Sequence, residues 1–250
     1  MEEAVFVGTP TTRDFDALHV SSLLGCDKPK GGFFWYPVIG QAIAEARNQI
    51  VDVFLRYPSQ FNFLLMADSD ATWHPDSVTR LMSRNLPVVS GMIFRRGLPP
   101  VPTLGKYIGR DEDDNSVYSF GPTIERIIGV AEKYKMSLDI PNTMTLEDDG
   151  MNDLFEIDGC GMHFCMIRRD VLEKMERPWF HAPTRNSGED FYFCRGVKKA
   201  GFQLFGDTSV MTGHIVGPGI DIGLREFLAF YKHSEEMKKS EEIWKVVGLK

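Results

Sequence analysis

Residues 62–70, with the sequence NFLLMADSD, constrain this chain more than any other segment. A short apolar run bounded by polar residues is typical of a strand buried on both faces, and open α/β sheets bind their ligands at the carboxyl ends of such strands. Here the run ends at two carboxylates, Asp68 and Asp70. On an extended chain they point to the same side, so they need a cation or hydrogen-bond donors between them. Mg²⁺ or Mn²⁺, held together with phosphate oxygens, is the usual solution.

The Asp68–Ser69–Asp70 tripeptide is a weak signal by itself. Asp and Ser are ordinary turn residues, and such a tripeptide is more often a plain loop. Its surroundings point to a site, because a buried strand precedes it and the segment TWHPDS (72–77) leads into a helical pattern with Val78, Leu81 and Met82.

The composition is that of an ordinary globular protein. The chain has 250 residues, of which 43% are hydrophobic and 25% charged, enough for a substantial core and for one domain with an appended segment. The net charge of −7 argues against a general polyanion binder, so we expect no stable nucleic-acid binding. It leaves open an acidic metal site that holds a nucleotide.

We expect a cytoplasmic protein, including a host's cytoplasm if the chain is viral. The N-terminus has no basic segment before a long apolar one, which predicts no secretory signal, and no run reaches the length of a membrane span. The four cysteines have no CxxC spacing and are predicted to be small buried residues in a reducing compartment, with a four-cysteine zinc site as the less favoured alternative.

Strands and helices alternate along most of the chain, which indicates α/β topology. Apolar runs predict strands near 4–7, 62–67, 87–94, 155–167 and 202–205, with 33–36 as a second strand or a binding wall. Residues 37–57 carry a clear helical stripe. Arg47 flanks this stripe and Asn48 lies opposite it, so periodicity alone predicts a solvated pair.

Two stretches depart from this rhythm. Residues of about 99–156 contain a proline-rich turn and acidic turns, and we interpret them as an elaboration or lid beside the site. Residues 221–250 are predicted to form a charged helical segment.

Later in the chain, the segment SGED (187–190) opens a helix that Gly201 ends. Glu189 and Asp190 lie in its first turn, where acidic residues often only complement the helix dipole. His214 follows a later strand, and a lone histidine there is more often structural than a ligand.

Several short motifs, taken in order, resemble the family 2-like group of A-type-fold glycosyltransferases, in the compact form common in bacteria and their viruses. The resemblance spans roughly residues 4–217. The matching motifs are Thr9–Pro10, Ala46–Arg47–Asn48, Asp68–Ser69–Asp70 with Pro75–Asp76, Val89–Met92, Asp158–Gly161, Glu189–Asp190 and Gly213–His214.

The resemblance implies a single Rossmann-like domain over residues 1–220, with a mostly parallel central sheet flanked by helices. It implies that Asp70 and His214 bind a metal, with Asp68 contributing and also reaching the ribose or sugar. A neutral imidazole suits Mn²⁺ better than Mg²⁺, and a divalent ion neutralises a departing nucleoside diphosphate. Ser69 and Arg47 belong to the same nucleotide-sugar site.

The resemblance also assigns the acceptor side. Asp190, or less favourably Glu189, would be the base that deprotonates the acceptor hydroxyl. Asp158 and Gly159 would line the floor beneath donor sugar and acceptor. Thr9, Pro10 and Arg13 would border the nucleotide.

The function implied is metal-dependent transfer of a sugar from a UDP- or GDP-linked donor to an acceptor hydroxyl. Two alternatives stay open. A nucleotidyltransferase also uses a nucleotide and a divalent ion, although it normally has a glycine-rich first loop, and residues 8–12 (GTPTT) are glycine-poor. A non-catalytic carbohydrate-binding protein with a decayed site is disfavoured by the intact carboxylates at 68, 70 and 190.

Overall fold

A large mixed sheet forms the centre of the protein. The computed structural model describes residues 3–97, 99–112, 116–147, 153–182 and 188–237. The main path of the sheet contains, in spatial order, β12 (Ile220–Ile222), β11 (Leu204–Gly217), β5 (Val88–Met92), β10 (Phe164–Arg168), β3 (Phe61–Ala67), β1 (Ala4–Thr11) and β2 (Phe33–Ile39). Three short strands pair with β11 outside this path, and two more form a separate hairpin. These are β4 (Ala71–Trp73), β8 (Met144–Thr145) and β9 (Leu154–Ile157), and then β6 (Lys106–Arg110) and β7 (Ser116–Ser119).

The α/β class is confirmed, but the prediction of a mostly parallel sheet is wrong. β1 runs parallel to β2 and β3, and β5 runs parallel to β11. β10 lies antiparallel between β3 and β5, and β4, β8, β9 and β12 all pair antiparallel with β11. A parallel neighbour requires a crossover, usually a helix, that carries the chain back along the sheet. The strand–helix rhythm stops after β5, and β10 follows β9 without an intervening helix.

Seven helices are described, and α2 (Ile43–Arg56) packs on the sheet through part of its predicted stripe. The predicted helical stripe over residues 37–57 is wrong at its beginning, because Pro37–Ile39 ends β2 and Ile39 is exposed. In α2, Ile50 and Phe54 are fully buried. Gly8 of β1 allows the close approach, because a Cβ there would overlap Ile50. The helices are α1 (Ala17–Gly25), α2 (Ile43–Arg56), α3 (Ser77–Ser83), α4 (Gly121–Lys133), α5 (Arg169–Lys174), α6 (Glu189–Lys199) and α7 (Leu224–Met237).

The ends of the predicted helices are partly observed. α6 begins at Glu189, with Gly188 as its N-cap, and Gly201 lies beyond its end at φ +87°. The predicted cap Ser187 and the tail after Met237 lie outside the described residues. All four cysteines are buried and free, as expected. None of the helices in the described ranges is both long enough and apolar enough to cross a bilayer.

Candidate active site

The carboxyl end of β3 opens into a turn that separates the two predicted carboxylates. The backbone N–H of Ala71 donates to the carbonyl of Asp68 at 2.9 Å, so the chain does not stay extended through this segment. Asp68 faces α2 and Asp70 faces β11. His163, just before β10, lies within reach of both, since its Nδ1 is 3.8 Å from Asp68 Oδ2 and 3.4 Å from Asp70 Oδ1.

Arg47 of α2 joins Asp68 to the start of α6. Its guanidinium donates twice to Asp68, at 2.9 and 3.3 Å, and lies 3.5 Å from both Glu189 and Asp190. Only 2% of the side chain is exposed, so the prediction of a solvated Arg47–Asn48 pair is wrong. Asn48 also turns inward, donating to and accepting from the backbone of Phe180. A charge this deeply buried is tolerated because three carboxylates surround it.

The surroundings of Arg47 affect Asp68 and Asp190 in opposite directions. For Asp68, burial favours the neutral acid, but the charge of Arg47 and the contact with His163 outweigh it, and the pKa lies well below its usual range. For Asp190, burial raises the pKa to about 7; Arg47 lowers it, while the charges of Glu189 and Asp68 raise it. A carboxylate with a pKa near neutrality is suited to proton transfer.

Three side chains converge on one point beside β11. Asp70, His163 and His214 place one ligand atom each within 4.8 Å of one another, and they form the one such cluster in the described ranges. His214 Nε2 lies 3.5 Å from Asp70 Oδ2, and the two imidazole rings are 4.2 Å apart. Ligand atoms that share one cation at about 2.0–2.2 Å lie about 3–4 Å apart. The spacing therefore fits a metal ion.

Both imidazoles are oriented as metal ligands are. His163 Nε2 donates to the carbonyl of Gly213 at 3.2 Å, and His214 Nδ1 donates to the carbonyl of Phe94 at 2.9 Å. In the neutral rings the lone pairs then lie on His163 Nδ1 and His214 Nε2, which face Asp70. Such backbone partners are typical behind metal-bound histidines. Burial and the neighbouring His163 lower the pKa of His214 to about 3, so its imidazole is unprotonated at pH 7.

Two features identify this cluster as a fit for a divalent ion. His163 Nδ1 is buried and makes no hydrogen bond among the described residues. The donor set of two nitrogens and one carboxylate oxygen favours a transition ion such as Mn²⁺ over Mg²⁺. Asp68, a predicted ligand, is not in the cluster, because its oxygens are held by Arg47.

Thr9, Pro10 and Arg13, the residues predicted to border the nucleotide, lie at or just after the carboxyl end of β1. Because β1 pairs in parallel with β3, this end lies beside the turn that carries Asp68 and Asp70. Thr9 and Pro10 are buried, and Thr9 Oγ1 accepts a hydrogen bond from Trp35 Nε1 at 2.9 Å. Arg13 is exposed in the loop that follows, and Ser69 is half-buried in the turn between the two carboxylates. Of these residues, Arg13 and Ser69 are the ones that a ligand can reach directly.

Asp158 and Gly159 are engaged by the protein. Asp158 forms an ion pair with Lys198 and accepts from the backbone N–H of Tyr107 at 3.0 Å, so it anchors the β6–β7 hairpin. Gly159 is buried beneath Phe191 and Tyr118, where a Cβ would overlap both rings. The space left by the missing Cβ of Gly159 is therefore filled by the rings of Phe191 and Tyr118.

Gly161 is the glycine that borders Asp190. A Cβ on Gly161 would lie 3.3 Å from Thr103 Oγ1 and 3.7 Å from Asp190 Oδ2. Thr103 Oγ1 and Asp190 Oδ1 are both buried without a hydrogen-bond partner among the described residues. Two polar side chains with atoms that make no hydrogen bond therefore lie next to Gly161.

Of these residues, His163 and Thr103 were not predicted from the sequence, and Gly161 was named there only as the last residue of the Asp158–Gly161 motif, without a role. His163 and Gly161 stand in the segment GCGMHF (159–164), whose glycines and single histidine in an apolar run were a usable signal. Thr103 carries no local signal, since a threonine after prolines is ordinary in a loop.

Comparisons with known proteins show the fold and not a family. No family model and no curated protein matches the chain. The crystal structure of A197 from STIV is similar with a TM-score of 0.58 and 17% identity, over 89% of this chain and 91% of that one. The structure of S. aureus TarS 1-349 matches at 0.41 and 13% identity, over 82% of this chain and 60% of that one. The likeness to A197 establishes a shared α/β fold.

Proposed function

We propose that this protein is a metal-dependent glycosyltransferase that moves a sugar from a nucleoside-diphosphate sugar to an acceptor hydroxyl. The observation that supports it is the proximity of a metal-type triad to a half-buried carboxylate, Asp190, whose pKa is raised to about 7, with Arg47 and Asp68 between them. Sugar transfer needs both parts, because the leaving diphosphate must be neutralised and the acceptor must lose a proton.

Asp70, His163 and His214 would hold the divalent ion, which when bound neutralises charge on the departing diphosphate. Asp190 takes the proton of the acceptor hydroxyl as the acceptor oxygen bonds to the anomeric carbon. The bond from that carbon to the diphosphate oxygen breaks, and its electron pair leaves with the nucleoside diphosphate. Arg47 keeps Asp68 ionised, so that Asp68 can accept hydrogen bonds from sugar or ribose hydroxyls.

A thermal-shift screen separates this proposal from its alternatives. We expect UDP or GDP to raise the melting temperature only when Mn²⁺ is present; a ligand at about 100 times its Kd adds about 2.7 kcal/mol of stability. A preference for nucleoside triphosphates would instead indicate a nucleotidyltransferase. A lack of any response would favour the non-catalytic carbohydrate-binding alternative.

Variants make the screen specific to the triad. His163→Ala and His214→Ala should abolish the Mn²⁺-dependent shift. His74→Ala is the matched control, because His74 pairs with Asp76 outside the triad. Hydrolysis assays with a panel of nucleotide-sugars then identify the donor. An unchanged Mn²⁺-dependent shift in both triad variants would refute the metal assignment.

A further inference from the structure

Arg96 covers the triad from the solvent side. It follows β5, and its Nη2 forms an ion pair with Asp70 Oδ2 while its Nε donates to His214 Nε2 at 2.9 Å. These are two of the atoms that a metal ion would need. The side chain is 57% exposed, in contrast to Arg47, which is buried among three carboxylates.

Arg96 and a divalent ion therefore exclude each other from the same ligands. A nitrogen lone pair that accepts from Arg96 cannot bind a metal at the same time, and a cation on Asp70 repels the guanidinium. Because an exposed ion pair contributes little stability, displacing Arg96 costs little. Under the proposed function the donor's diphosphate binds at this metal ion, so the displaced side chain would be within reach of phosphate oxygens, which a guanidinium binds in a bidentate manner.

We propose that Arg96 is an exchangeable counter-ion: it holds Asp70 and His214 in the ligand-free protein, yields them to the divalent ion, and then binds the diphosphate of the donor. This inference rests on the proposed function. It makes Arg96 a substrate-binding residue for the diphosphate group. It also links metal binding to donor binding, because the guanidinium that the metal ion displaces becomes available to bind the donor.

The exchange predicts effects of opposite sign from one substitution. In Arg96→Gln, Mn²⁺ alone should bind about 2–5-fold more tightly, since its competitor is removed. With Mn²⁺ saturating, UDP or GDP should bind about 10-fold or more weakly, since a charge-assisted contact is lost. Isothermal titration with MnCl₂ and then with each nucleoside diphosphate measures both effects, and the electron paramagnetic resonance signal of free Mn²⁺ checks the first one.

Arg95→Gln is the matched control. It removes the same charge from the adjacent residue, whose side chain is exposed and has no ion pair within the part of the chain that the structure describes. Both affinities should stay within about twofold of the wild-type values, which is the range of surface substitutions. If Arg95→Gln reproduced the changes seen in Arg96→Gln, general surface charge would explain them and the proposal would be overturned.

The remaining outcomes separate the inference from the proposed function. If wild-type protein binds Mn²⁺ and the nucleoside diphosphate but Arg96→Gln does not tighten Mn²⁺ binding, the exchange is refuted and the transferase proposal stands. If both affinities fall together, Arg96 only supports the site, and the exchange is again refuted. If neither wild type nor Arg96→Gln binds Mn²⁺ while circular dichroism shows both folded, the metal-dependent function itself fails.

Discussion

Among single residues, Asp190 has the environment most suited to chemistry. It lies at the start of α6, and its buried Oδ1 makes no hydrogen bond among the described residues but lies 3.5 Å from Arg47 Nη2. Glu189, its neighbour, also approaches Arg47 at 3.5 Å, through Nε. The two side chains point about 100° apart on the helix, and Asp190 is the one that borders Gly161.

The first prediction distinguishes these two carboxylates. Asp190→Asn should lower kcat by roughly 10²–10⁴-fold, because a general base acts only in the chemical step. Its affinity for nucleotide and metal should change little. Glu189→Gln should raise the KM for the acceptor more than it lowers kcat. Steady-state kinetics, with the donor identified in the panel of nucleotide-sugars, measures kcat and KM for both variants. If activity falls only a few-fold in both, the two carboxylates only cap the start of this helix.

The raised pKa of Asp190 predicts the pH dependence as well. A base works deprotonated, so kcat/KM should fall as the pH drops below about 7. The folded state binds this proton more tightly than the unfolded state, so ionisation costs stability as the pH rises from about 4 to about 7. Asp190→Asn should remove that cost, on the order of 1–3 kcal/mol at pH 8, as urea denaturation at pH 4.5 and pH 8 would measure. Equal stability differences at both pH values would contradict it.

Among the elements, β11 organises the metal-type triad. It pairs with β5, β9 and β8 and then with β4 and β12. This path brings His214 opposite Ala71, directly after Asp70. Gly213 lies between the two histidines, since its carbonyl accepts from His163, and a Cβ on it would overlap Asp221 and Thr72.

Gly213→Ala should therefore weaken Mn²⁺ binding about 10-fold or more, because the side chains of Thr72 and Asp221, which hydrogen-bond to each other at 3.0 Å, or the strand itself must shift next to both imidazoles; changes behind metal ligands typically cost 10–100-fold in affinity. Gly217→Ala is the control in the same strand, since its Cβ would meet nothing within 4 Å. Titration with MnCl₂ measures both variants. Equal affinity in the two variants would show that β11 tolerates the shift without disturbing the triad.

At the scale of the whole molecule, α7 packs behind the site. Phe227 is buried and its ring lies 5.4 Å from that of Phe94, whose carbonyl holds His214. The C-terminal segment thus contacts the residue that orients a triad histidine. The sequence alone predicts only an appended charged helix for this segment.

Phe227→Ala should lower the free energy of unfolding by about 3–5 kcal/mol and weaken Mn²⁺ binding, because Phe94 loses its packing partner. Phe227→Leu retains much of the packing and should show smaller effects on both. Denaturation and Mn²⁺ titration at a temperature where both variants are folded provide the measurements. Loss of stability with unchanged Mn²⁺ affinity would show that α7 supports the core but not the site.

Local sequence determined the parts of this protein that depend on neighbouring residues. The apolar run before Asp68 forms β3, the part of the helical stripe from Ala46 to Phe54 packs in α2, and Gly201 ends α6. In each case the period or the turn residue belongs to the element itself, so it can be read from the chain in order.

Only the tertiary structure decided which buried polar groups have ion-pair or hydrogen-bond partners. It also decided that β10 runs antiparallel to its neighbours. Arg47 is buried because Asp68, Glu189 and Asp190 converge on it from up to 143 positions away. His163 joins Asp70 and His214 only because β10 and β11 bring them to one edge. Periodicity encodes which face of an element is apolar, but the cost of burying a charge is offset by partners that are distant in sequence. The metal-type triad and the arginine that covers it are therefore properties of the folded chain.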